Sequence, residues 1–179
     1  MKALGEKTFA MIDLETLAIS QNAAIISIGA VQFNMDGVDE VGAFYHRIAL
    51  GSLSGFDQSD NTMQWWSRQD AAVREEAFSG TEGLIAVLSA FSKWYLPGTV
   101  AVGNGANFDL SILANAHEFF GLDLPWHYRD IFCFRSLRMM YPEIVDDSEL
   151  TKHNALNDAI RQAEHMIKIY HSVVPLTIG

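Results

Sequence analysis

The chain has 179 residues, of which 49% are hydrophobic and 19% charged, enough for the core of one domain and far from the composition of a disordered or collagenous chain. Its 12 basic against 22 acidic side chains, net -10, exclude a protein that coats polyphosphate non-specifically, because such affinity comes from Lys and Arg. The single cysteine, Cys133, excludes an intramolecular disulfide and a thiolate zinc cluster. No apolar run approaches the roughly 20 residues of a membrane span and the first residues lack a signal-peptide core, so a single soluble domain over residues 1–179 in a reducing cytoplasm is expected. The charge is uneven: residues 126–179 carry 6 basic and 7 acidic groups, which leaves room there for a local contact to an anion.

Along the chain, residues 8–13 read as a buried strand, 25–33 as a β-branched second strand and 43–48 as a third, with connections short enough for an antiparallel meander. The period then changes. Asp70 caps a predicted helix over 71–78, and Thr81 with Glu82 opens another whose apolar positions Leu84, Ile85, Leu88, Phe91 and Tyr95 recur at helical spacing until Pro97. Residues 100–103 form a short apolar strand, 108–120 a helix closed by Gly121, and 131–140 a helix before Pro142. The last helix spans 155–171 behind an Asn154 cap, with Leu156, Ile160, Ala163, Ile167 and Tyr170 as its apolar stripe. A meander followed by alternating helix and strand predicts an α/β fold: a mixed sheet, antiparallel and then parallel, with helices on both faces.

Three segments carry chemistry. Asp13 and Glu15 end the first strand and, by strand alternation, point the same way; a cation between them relieves their repulsion, while the plain alternative leaves both in water beyond the strand end. Gly103-Asn104-Gly105-Ala106-Asn107-Phe108-Asp109 leaves a strand through small residues into a helix, where strand ends form sites, although Asp109 taken alone reads first as a helix-terminus carboxylate on the dipole. The glycines match neither a P-loop nor a dinucleotide fingerprint. His153-Asn154-Ala155-Leu156-Asn157-Asp158 brings a loop His and a first-turn Asp to one spot, or is capping with an incidental His. No paired His spacing, Gly-x-Ser-x-Gly elbow or cysteine nucleophile motif is present.

Taken in order and spacing, these segments resemble the DEDDh branch of the DnaQ-like 3'-5' exonucleases: Asp-x-Glu on the first strand, a middle Asp opening a helix, and His-x4-Asp near the end. Ala23-Ala24-Ile25-Ile26-Ser27-Ile28-Gly29-Ala30, Trp65-Trp66, Gly103-Asn104-Gly105 and His153-Asn154-Ala155-Leu156 look like the compact phage and bacterial subgroup with the DexA-type enzymes. The likeness spans about residues 8–171 and implies a ribonuclease H-like fold. It departs after Thr16, where Leu17-Ala18-Ile19-Ser20 stands in place of a glycine found in many relatives.

The resemblance implies phosphodiester hydrolysis with two Mg2+ or Mn2+ ions roughly 3.5–4 Å apart. Asp13 would bridge both ions, Glu15 and Asp158 complete their shells, and Asp109 holds one directly or through water. His153 would accept the proton of the attacking water, imidazole being the side chain that ionises near neutrality. The backbone of Thr16 and Leu17 would meet the terminal sugar, with Leu17 wedged against the last base. Trp65, Trp66 and Phe108 would stack on bases, one of the two tryptophans being equally a core residue, and Arg135, Arg138 and Lys152 would touch phosphates. The expected partner is a single-stranded DNA or RNA 3' end, DNA slightly favoured, with no membrane and a homodimer open. The competing readings are an exoribonuclease of the same fold, a small-nucleotide phosphodiesterase, and a catalytically silent nucleic-acid-binding protein.

Overall fold

A computed structural model describes residues 4–151 and 153–174. Three antiparallel strands come first, β1 (Phe9–Thr16), β2 (Ile25–Asn34) and β3 (Gly37–Arg47), then two parallel to β1, β4 (Val100–Gly103) and β5 (Ile131–Cys133). They form one sheet in the order β3-β2-β1-β4-β5. The helices are α1 (Asp60–Trp66), α2 (Ala71–Ala77), α3 (Leu84–Trp94), α4 (Asp109–Phe119), α5 (Phe134–Met140) and α6 (Ala155–Val173). The expected mixed α/β sheet covered on both faces is the one observed.

Strand alternation in β1 divides the core. Ala10, Ile12 and Leu14 pack with Leu88 and Phe91 of α3 and Leu113 of α4. Phe9 and Met11 face the other way, onto Phe134 of α5 and Ala163 and Met166 of α6. Odd-numbered residues of β1 therefore look toward α6, and Asp13 and Glu15 continue that row beyond its apolar part.

Several boundaries differ from those expected. β1 continues to Thr16, so Asp13 and Glu15 lie inside the strand rather than beyond its end, and a register shift between Glu15 and Thr16 turns the chain there. β3 begins six residues before the expected 43, in an exposed polar stretch with no alternating signal. Helix α3 starts at Leu84, not at Thr81 and Glu82: the Leu84 N–H donates to Ser52 Oγ at 3.1 Å, and Ala49 N–H donates to the Glu82 carbonyl at 2.8 Å. The expected helix over 131–140 is two elements, the strand β5 and then α5, because only three residues pair with β4 before the chain coils. Helix α1 lacks a predicted counterpart; Ser59 caps it, accepting from the Thr62 N–H at 3.2 Å.

Other caps stand as expected. Asp70 accepts from Ala72 N–H, Asn154 from Leu156 and Asn157 N–H, and Gly121 follows α4 with a φ of 64°.

Candidate active site

The C-terminal ends of the neighbouring parallel strands β1 and β4 open toward the first turns of α4 and α6, and the five residues of the acidic motif gather there, all on one chain. Asp109 opens α4 and Asp158 sits in the first turn of α6. The approach of α6 depends on Gly29, the β2 partner of Asp13, where a β-carbon would lie 2.1 Å from the Ala155 carbonyl carbon and 2.2 Å from the Leu156 nitrogen. Gly103 plays a similar part for α4: a β-carbon there would meet the Asp109 carboxylate at 3.2 Å. Neither glycine has a positive φ, so close packing and not backbone freedom calls for them.

Ligand atoms of Glu15, His153 and Asp158 lie within 4.8 Å of one another. Asp13 joins them electrostatically while its Oδ1 accepts from Gln162 Nε2 at 2.8 Å. The other side-chain oxygen-bearing end of Gln162, Oε1, is buried without a partner. Asp158 Oδ2 accepts from the His153 backbone N–H at 2.7 Å, and Oδ1 from Arg161 Nη1 at 2.6 Å. His153 has a left-handed backbone, φ 62°, an uncommon conformation for a residue with a side chain, and its ring stands edge-on to Trp65 with centroids 5.0 Å apart.

The electrostatics are those of crowded like charges. Burial, reinforced by Asp109, Glu15 and Asp158, holds the Asp13 carboxyl well above its ordinary range, against the Gln162 hydrogen bond. Burial first, then Asp158, Asp109 and Glu76, pushes Glu15 up to about 8. Asp109 is raised to about 7 by burial although backbone N–H groups of Asp109, Leu14 and Gly105 and the charge of Arg135 pull it down. Among the described residues no Lys or Arg pairs with Asp13, Glu15 or Asp109. The arrangement is an oxygen cage short of positive charge.

Beside it lies a cleft of about 420 Å³ lined by Glu15, Thr16, Ile19, Asn61, Trp65 and Phe108, among others. This distributes the expected contact residues unequally. Thr16 and Phe108 do line the cleft, the Thr16 hydroxyl donating to the Ala18 carbonyl at 2.8 Å. Leu17 does not: it is 1% exposed, its N–H donates to Ala24 O and its carbonyl accepts from Ser59 N–H, so its side chain belongs to the core and its N–H is already engaged. The exposed apolar side chain of that loop is Ile19, at 83%, which the sequence reading passed over and which loop position alone could have suggested.

The tryptophans divide likewise. Trp66, expected to touch substrate, is 1% exposed and its Nε1 donates to the Thr16 carbonyl at 3.0 Å, whereas Trp65 is 39% exposed on the cleft. Arg135 is exposed, donates from Nε to the Asn104 carbonyl at 2.8 Å, and stands where a Gly105 β-carbon would meet its guanidinium at 3.4 Å. Arg138 is exposed almost a turn further along α5, and Lys152 lies outside the described residues.

Residues 8–170 match the family model described as the 3'-5' exoribonuclease Rv2179c-like domain. The fold is similar to the nuclease domain of 3'hExo, a DEDDh family member solved bound to rAMP, with a TM-score of 0.68, 14% identity and 93% of each chain covered. It is also similar to E. coli Exonuclease I in complex with a dT13 oligonucleotide, with a TM-score of 0.70 and 14% identity over 93% of this chain and 41% of that one. The zinc-bound form of the E. coli ExoI–ssDNA complex gives a TM-score of 0.72 and 16% identity over 95% and 42% of the chains. The chain thus spans about two-fifths of Exonuclease I and nearly all of the 3'hExo domain, and at these identities the likeness to each is one of fold. No curated protein matches the chain by sequence.

Proposed function

Because the chain belongs to the Rv2179c-like 3'-5' exoribonuclease domain family, we propose that it removes nucleotides from the 3' end of single-stranded nucleic acid, preferring RNA, with two divalent cations, Mg2+ or Mn2+, held by Asp13, Glu15, Asp109 and Asp158. The observation that carries this reading is the crowding of four carboxylates: burial raises Asp13, Glu15 and Asp109, and like-charge repulsion adds to it at Asp13 and Glu15. A phosphate cannot approach such a cluster unless cations neutralise it, and an all-oxygen acidic donor set suits hard divalent ions. When bound, the ions supply charge neutralisation for the phosphate and acidify the attacking water.

The chain's own residues do the rest. His153 takes the proton of the attacking water; the Trp65 edge and the bond from its backbone N–H to Asp158 hold it at the cluster. Trp65, Phe108 and Ile19 flank the terminal nucleotide in the cleft, and Arg135 faces its phosphates. Few cations are present to hold a long strand, so only the last nucleotides engage. Likeness to the DexA-type enzymes supports DNA, but the family description names RNA and its match spans residues 8–170, so RNA takes precedence. Among the described residues no helix is long and apolar enough to cross a membrane; the cytoplasmic placement in this reading rests on the single cysteine, which suits a reducing compartment.

The test is a time course on matched 5'-labelled RNA and DNA oligonucleotides with Mg2+ at one salt concentration. A descending ladder, faster on RNA, supports the proposal. A faster DNA ladder reverses the polymer preference, cleavage of nucleotides alone favours a small phosphodiesterase, and no cleavage favours a binding protein.

A further inference from the structure

Helix α6 does more than deliver Asp158. One stripe of it, Arg161, His165 and Lys168, holds the loop that precedes it. His165 Nε2 donates to the Ile144 carbonyl at 2.6 Å. Lys168 Nζ donates to the Val145 carbonyl at 3.1 Å and pairs with Asp147 at 2.9 Å. Arg161 stands between two carboxylates, Nη2 donating to Asp146 Oδ2 and Nη1 to Asp158 Oδ1. Its side chain is 12% exposed and its buried Nε has no partner, so water barely dilutes the charge and the two Nη groups carry its recognition.

We propose that Asp146 and Arg161 form a positioning pair that fixes the Asp158 carboxylate and tunes the negative charge it offers to the cation site. Resting on the reading that Asp158 holds a divalent ion, the pair acts through Asp158 and not on the reacting atoms. With His153 N–H on one oxygen and Arg161 on the other, the carboxylate is fixed in rotation. A guanidinium this close also repels a cation, and Asp146 offsets that by sharing it. The same stripe ties residues 144, 145 and 147 to the helix, in the segment that precedes His153 in the chain.

The two members therefore have opposite effects on cation affinity. In the full chain without nucleic acid, calorimetric titration with Mn2+ alone should show Arg161→Gln binding about threefold or more tighter than wild type, and Asp146→Asn about threefold or more weaker. With RNA oligonucleotide, Arg161→Gln should lower kcat about tenfold or more with KM unchanged, and Arg161→Lys should recover part of it. Affinity shifts of opposite sign support the pair; any other pattern, including loss of affinity in both variants as expected of simple structural damage, overturns it. If Arg161→Gln does not fold, Asp146→Asn and Asp146→Glu decide: weaker Mn2+ binding in Asp146→Asn that Asp146→Glu restores supports the pair, and any other pattern overturns it. A wild-type protein that takes up no Mn2+ would overturn the cation reading and this pair with it, a result distinct from wild-type binding that the variants leave unmoved.

Discussion

Gly29 of β2 and Ala155 of α6 touch backbone to backbone: a β-carbon on Gly29 would sit 2.1 Å from the Ala155 carbonyl carbon and 2.3 Å from its oxygen. Since Gly29 is the register partner of Asp13, that contact sets the distance from Asp13 to Asp158. Gly29→Ala must push the start of α6 outward. We expect it to cost about 2–4 kcal/mol, at or above the usual range for overpacking, and to reduce activity more than the loss of folded protein accounts for. Urea unfolding alongside initial rates measured well below the midpoint would test this; a variant with wild-type stability and rate would contradict the contact.

The raised carboxyls make metal-free stability depend on pH. Glu15 has an ordinary value of 4.5 and stands at about 8 in the fold, and Asp109 moves from 3.8 to about 7. Between those limits the folded protein holds protons that the unfolded chain has released. Their contribution is therefore complete below about pH 4 and is lost as pH rises through 7 and 8. The metal-free melting temperature should fall over that window, and Glu15→Gln should flatten the fall. Mg2+ competes with those protons, so its stabilisation should be small at pH 5 and largest above pH 8. Melting curves at several pH values with EDTA or Mg2+ would check this, and a metal-free protein that gains stability between pH 5 and 8 would refute it.

The acidic motif could be found from sequence because strand alternation and first-turn positions are local properties: Asp13 with Glu15, Asp109 and Asp158 occupy the elements expected of them. What failed depended on partners distant in the chain. Three residues of β5 show no period of their own and become a strand only beside β4. Gly29 in the β2 segment belongs to the family resemblance, yet its physical reason lies on α6, about 126 residues later. Trp65 and Trp66 are chemically identical neighbours, and only the Thr16 carbonyl and the core behind it decide which is buried. Leu17 and Ile19 are separated in the same way, by hydrogen bonds to Ala24 and Ser59.

Asp13→Asn removes one of four crowded charges but keeps the oxygen that accepts from Gln162. Activity should fall by about 10²–10³-fold or more, as when a preorganised electrostatic element is lost. Metal-free stability should rise, because burial and three like charges oppose the ionised form of Asp13. Calorimetric melting in EDTA would show it, and a melting temperature clearly below wild type would defeat the like-charge argument.

The two tryptophans offer a test in which adjacent positions give opposite readouts. Trp66 lies in the core and bonds to the Thr16 carbonyl, so Trp66→Ala should destabilise the fold by about 3–5 kcal/mol, the usual cost of removing a large buried aromatic. Trp65 is exposed on the cleft and edge-on to His153, so Trp65→Ala should leave stability nearly unchanged. Loss of one base stack, worth about 1–3 kcal/mol, should raise KM about 5- to 160-fold. Trp65→Phe keeps an aromatic face for the base and an edge for the imidazole, and should restore most of both. His153→Ala completes the set: it should lower kcat about 10²–10⁴-fold, a loss that Trp65→Phe should not show. If Trp65→Ala unfolded the protein and Trp66→Ala changed only KM, the assignment of the two rings would be reversed; if His153→Ala kept the wild-type kcat, another group would be the base.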